Sequence, residues 1–174
     1  VMDLDLLVGS GGVLSHAPRR QQSARMLIDA FMPEGITQLA VDSIFMMPQL
    51  GVLANIDKDE LKEDASQAAL EVFDNDCLIR LGTCVTPVGN AKPNSKMADV
   101  TLTFGDGSVK EIEINEGSLE MMEHPYEEVK VHIKPARGID VGAGKGEELE
   151  SVIYGGVVGL IFDGRNRPIT LSKE

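Results

Sequence analysis

Near Asp76 the spacing of the apolar residues changes, and that change limits what the chain can fold into. Before it, in residues 22–32, Met26 or Leu27, Ala30 and Phe31 recur at helical spacing, the mark of an amphipathic helix. After it, Val109-Lys110-Glu111-Ile112-Glu113-Ile114 and Val129-Lys130-Val131-His132-Ile133 alternate between apolar and polar, the period of a half-exposed strand. Residues 1–76 are therefore expected to form an α/β region. Residues 77–174 are expected to form a β-rich domain of seven or so short strands, a barrel or a sandwich.

The α/β region opens on Leu4-Asp5-Leu6-Leu7-Val8, a buried strand by composition, which runs directly into Gly9-Ser10-Gly11-Gly12. A strand ending in a glycine turn is an α/β signature. Pro33 and Gly35 stop the helix that follows, and Leu39-Ala40-Val41 reads as a short second strand. Pro48 suits the first turn of another helix, running through Leu50, Val52 and Leu53. The acidic stretch 57–71 is helical in propensity, with a thin face at Asp64, Ala65, Ala68, Ala69 and Leu70 that is mostly apolar. In the β-rich region, residues 78–81 and 100–104 read as strands, and Gly105-Asp106-Gly107 is a hairpin signal between 100–104 and the alternating run 109–114. Residues 152–154, 157–162 and 168–171 are three further short runs.

Aromatic residues are only 4 % of the chain against 43 % apolar residues, so the core has to be aliphatic. The net charge of −12 argues against nucleic acid, which needs a clustered Lys/Arg surface, and equally against an acidic membrane surface. The longest apolar run, 152–162, is too short to span a bilayer and holds three glycines. Two cysteines, Cys77 and Cys84, fit no zinc spacing and read as small buried hydrophobes. The compartment these features fit is the cytoplasm.

The glycine turn 9–12 is the best chemical signal. Glycines let a backbone approach a purine or a phosphate closely, and a tight turn without a ligand would use them equally well. A second glycine stretch, 138–146, departs from the phosphate-loop pattern: Lys145 is followed by Gly146 and Glu147 rather than by Ser or Thr. It reads as a loop between strands. The histidines do not cluster. His16 borders the glycine turn and is expected to bond nearby backbone, His132 to lie on the exposed face of its strand, and His124, before Pro125, in a turn. Glu111 and Glu113 share one solvated strand face, and Arg19 and Arg20 are the one compact basic spot. No catalytic constellation and no metal site is expected.

The run Leu7-Val8-Gly9-Ser10-Gly11-Gly12-Val13-Leu14-Ser15-His16-Ala17-Pro18-Arg19-Arg20 resembles the hallmark of the MutL accessory family linked to cobalamin-dependent glutamate mutase, which shares only its name with the mismatch-repair protein. Asp29-Ala30-Phe31-Met32-Pro33-Glu34-Gly35 and Leu39-Ala40-Val41-Asp42 resemble it too. So do Leu81-Gly82-Thr83, Pro87-Val88-Gly89, Gly117-Ser118-Leu119-Glu120 and the run from 155 to 163. The resemblance implies an ATPase of the actin and sugar-kinase superfamily, in its ribonuclease H-like fold. Gly9, Ser10, Gly11 and Gly12 would then contact the adenosine end of ATP, with Gly51 and Ala54 on a later helix that packs against the opposite lobe. It also implies Mg²⁺ and two phosphate loops, each built on an Asp and glycines. No segment here corresponds to those loops. The chain is expected to be a C-terminal part holding half a nucleotide site, with no hydrolysis of its own. The implied whole is an ATP-dependent accessory or reactivating chaperone for an adenosylcobalamin-dependent mutase, with mutase subunits as partners. The alternative is a β-rich interaction or oligomerisation module, a homo-oligomer included.

Overall fold

The computed structural model describes residues 4–55 and 62–169. Strand β1 (Leu6–Gly9) leads through α1 (Gly12–Ser15) and α2 (Arg20–Phe31) to β2 (Gly35–Asp42). Helices α3 (Met47–Ala54) and α4 (Lys62–Val72) follow, and a π-helical turn (Phe73–Cys77) feeds β3 (Leu78–Thr86). The rest is strand: β4 (Lys96–Thr103), β5 (Val109–Asn115), β6 (Leu119–Pro135) and β7 (Leu149–Asp163). The strand-rich reading of the second half therefore holds at the level of elements, and no helix interrupts β4 to β7.

The seven strands among the described residues form one sheet, in the order β1-β2-β3-β7-β6-β4-β5. The fold is mixed α/β and mostly β. β1 and β2 are parallel neighbours joined through α2, a βαβ unit. β2 then pairs antiparallel with β3, from Gly35 opposite Thr86 to Asp42 opposite Leu78. The apolar period changes at residue 76, but the hydrogen-bonded sheet runs straight across it.

Two cores lie on opposite faces of this sheet. α2 buries Ser23, Ala24, Leu27 and Ile28, a single helical face, against Leu7, Leu39, Val41, Leu81 and Ile161. Pro33 has no amide to continue the helix. Met32, in the left-handed region at φ 48°, closes it by donating its N–H to the Ile28 carbonyl at 2.8 Å. The second core gathers Val85, Val100, Leu102, Val131, Ile133, Ile153, Leu160 and Phe162. On β7, Leu160 and Phe162 face this second core and Ile161 faces the first, as a period of two requires. Phe162 is the one aromatic among the buried residues of the two cores, as the scarcity of aromatics implies, and Cys84 the one thiol.

β6 and β7 are longer than their sequence suggests, and they bend together. The register shifts between Met122 and His124 and again between His124 and Glu128. The ribbon thus pairs with β3 at one end and with β4 at the other. The bend depends on glycine. Gly82 of β3 lies opposite Gly159 of β7, with φ at 140° and 109°. A Cβ on Gly82 would overlap the Gly159 carbonyl, and one on Gly159 the Met122 carbonyl. Residues 152–154 and 157–162, read as two runs, are one strand interrupted by glycines that let backbones meet. Of the expected run 168–171, Pro168 and Ile169 are irregular and the remainder lies outside the described residues, as does the start of the acidic stretch at 57–61.

The segment after β7 returns to the first half of the chain. Asp163 is fully buried and accepts hydrogen bonds from Arg165 and Arg167. Arg165 also reaches Asp29 on α2 at 2.8 Å, and Arg167 donates to the Pro33 carbonyl at 3.1 Å. A buried carboxylate is tolerable only with such partners.

Candidate functional site

The parallel strands β1 and β2 end side by side, with Gly9 opposite Val41, and in open α/β sheets ligands bind beyond such carboxyl ends. The glycine turn lies there. Gly9 is buried as the last residue of β1, Ser10 is exposed, and Gly11 is half-buried with φ 113°. Gly12 is exposed and opens α1, with no positive φ. The Gly11 carbonyl accepts the amides of Leu14 and Ser15 at 3.1 and 2.9 Å, which fixes the turn onto α1. A Cβ at Gly11 or at Gly12 would meet no protein atom within 4 Å, so their backbone faces open space.

Asp42, the last residue of β2, organises this corner and is fully buried. Its carboxylate accepts the Ser10 hydroxyl at 3.3 Å and the amides of Met46 and Met47 at 3.1 and 3.0 Å. Its backbone carbonyl accepts the Ser15 hydroxyl at 2.5 Å. Burial acts to raise the Asp42 pKa. The Met47 and Met46 amides, with Ser10 and Ile44, outweigh it and hold the carboxyl below its ordinary value. The loop between Asp42 and α3 carries Phe45 at φ 58°, an uncommon conformation for a bulky residue, with half of its surface exposed. Ser43 in the same loop donates to the Cys77 carbonyl at 2.8 Å, which connects the corner to the start of β3.

Gly51 and Ala54 both lie on α3. With Met47, Leu50, Ala69, Leu70 and Phe73 they line an apolar cavity of about 270 Å³ between α3 and α4. His16 bonds the Gly12 carbonyl at 3.2 Å, the backbone contact expected of it. Arg20 donates to the Ser15 carbonyl at 2.9 Å. Both basic and imidazole side chains next to the turn thus hold backbone.

The other sequence signals resolve into structure. The glycine stretch 138–146 lies between β6 and β7, and the Asp140 carboxylate accepts the amides of Gly142 and Gly144 at 2.8 and 3.1 Å. The chain's own carboxylate fills the place an anion would need. His132 bonds Glu148 at 2.8 Å on the outer sheet surface. His124 is within β6, at the bend and against Phe104, rather than in a turn. Cys77 and Cys84 are free and buried. Burial pushes the Cys84 thiol up to about 12, and burial with the nearby Asp42 and Asp76 raises Cys77. Neither is a nucleophile near neutral pH. Among the described residues, no group of three His, Cys, Asp or Glu side chains is placed to hold a metal ion. No helix among them is long and apolar enough to cross a membrane.

Residues 1–72 match the family model described as MutL protein. The MutL match spans β1 to the end of α4, and so includes the glycine turn, Asp42 and α3. It stops where the π-helical turn begins, which leaves β3 to β7 outside it. No curated protein and no solved structure matches the chain.

Sequence reading found the turn but not its organiser. Asp42 entered only as the end of the run Leu39-Ala40-Val41-Asp42. The available signal was a carboxylate closing a buried strand, since such a group must find donors close by.

Proposed function

We propose that this chain belongs to a cytoplasmic ATP-dependent accessory or reactivating chaperone for an adenosylcobalamin-dependent mutase of the glutamate mutase type. In this reading residues 1–76 are part of an actin-like ATPase lobe, and residues 77–174 form its β-rich extension. The MutL match over residues 1–72 supports the family side of the proposal. The observation that carries the site is the open backbone of Gly11 and Gly12 beyond the paired carboxyl ends of β1 and β2.

The residues present suit the adenosine end of ATP. The turn offers exposed backbone, one hydroxyl at Ser10 and a lowered carboxyl held behind it. They do not suit Mg²⁺. Asp42, the buried carboxylate at this corner, is occupied by two amides and a hydroxyl. Phosphate loops and metal ligands would have to come from elsewhere in the protein, and these residues supply the base or ribose contact alone. Bound ATP would favour one of two lobe arrangements by its differential affinity for them, and that bias could open a mutase to release damaged cofactor. The test is direct. Full-length protein plus ATP is expected to restore a cobalamin-inactivated mutase, and failure to do so with a folded, ATP-binding protein would sink the role.

A second reading assigns the β-rich part to protein contact or self-association. It is favoured by the exposed apolar side chains Tyr126, Val152 and Val157 on β6 and β7. Self-association of the protein with no mutase capture in a pull-down is the outcome that selects it.

A further inference from the structure

The glycine turn is fastened at both ends to one residue. Ser10, before the glycines, donates to the Asp42 carboxylate at 3.3 Å. Ser15, after them, donates to the Asp42 backbone carbonyl at 2.5 Å. Between these two anchors a Cβ on Gly11 or Gly12 would meet no protein atom within 4 Å, and their carbonyls bond only the residues of α1 and His16. The carboxylate that grips Ser10 also grips the first amides of α3, from Met46 and Met47.

We propose that Asp42 is the positioning residue of this site: it sets the shape of the turn at residues 10–15 and ties that shape to α3. The inference rests on the adenosine reading for the ligand, but the clamp itself is a property of the ligand-free fold. A buried carboxylate with three donors is costly to disturb, because any donor that leaves exposes an unmatched charge. A ligand that moves Ser10 therefore changes the hold on Met46 and Met47. The alternative role for Asp42 is plain capping of α3, and the two roles separate by where the structure loosens.

The experiment is amide hydrogen exchange on full-length Asp42→Asn and Ser10→Ala proteins without nucleotide, followed by ATP titration. Asparagine keeps the shape but removes the charge and sets an NH2 donor where one oxygen was, so one orientation loses Met46 and the other loses both Ser10 and Met47. Exchange at residues 10–16 is expected to rise at least tenfold in Asp42→Asn, with α2 and β3 unchanged. In Ser10→Ala it should rise in the turn while α3 keeps its protection. ATP affinity should fall at least fivefold in Asp42→Asn. Loosening confined to α3, with residues 10–16 unchanged in both variants, would overturn the inference. If Asp42→Asn does not fold, Ser10→Ala alone decides, because exposed Ser10 carries little of the fold. Wild-type protein that binds no ATP would instead overturn the adenosine reading, and the exchange result would still judge the clamp.

Discussion

At Gly12 the structure separates two costs that a side chain could impose. The residue has no positive φ, and its Cβ position is open, so an added Cβ brings neither left-handed strain nor a clash with the protein. Any loss on substitution must then come from a ligand. Gly12→Val in the full-length protein should weaken ATP binding at least tenfold, about 1.4 kcal/mol, with an unchanged melting temperature in the absence of ATP. Titration and thermal unfolding of the same samples check both halves. Gly12 differs in this from Gly159, whose φ is 109° and whose Cβ would run into the Met122 carbonyl. Gly159→Ala should cost about 3 kcal/mol or more in urea unfolding, since left-handed strain and backbone overlap add. A cost below about 1 kcal/mol, the size of an ordinary surface change, would show that the bend in β6 and β7 can shift to make room.

The elements were legible where one period governed them. α2, α3 and β5 lie where helical spacing, Pro48 and alternation placed them, while β4 includes residues 100–103 but begins earlier, at Lys96. β6 and β7 were legible only in part. Pro125 and His124 sit inside β6, and Gly155, Gly156 and Gly159 inside β7, where local rules read turns. Those residues instead mark a bend at which the register shifts and backbones touch, a tertiary requirement that no local pattern records. The glycine turn itself was legible, since a strand that ends in glycines is a local signal. Its dependence on Asp42 was not, because the two are 32 residues apart and meet only through the parallel pairing of β1 with β2.

At the scale of the molecule, one sheet joins the region that matches MutL to the strands beyond it. β2 lies within the match and β3 outside, yet they pair over their whole lengths. Arg165 and Arg167, after the last strand, bond Asp29 and the Pro33 carbonyl in the first half. A change at the glycine turn has a short physical route outward, from Ser10 to Asp42, through the loop to Ser43, and on to Cys77 at the head of β3. In the proposed function the turn at residues 9–12 receives the adenosine end of ATP. Amide hydrogen exchange of the full-length protein with and without saturating ATP tests it most directly. Slowed exchange over residues 9–16 is the predicted footprint; ATP binding that protects other segments and leaves residues 9–16 unchanged would contradict it.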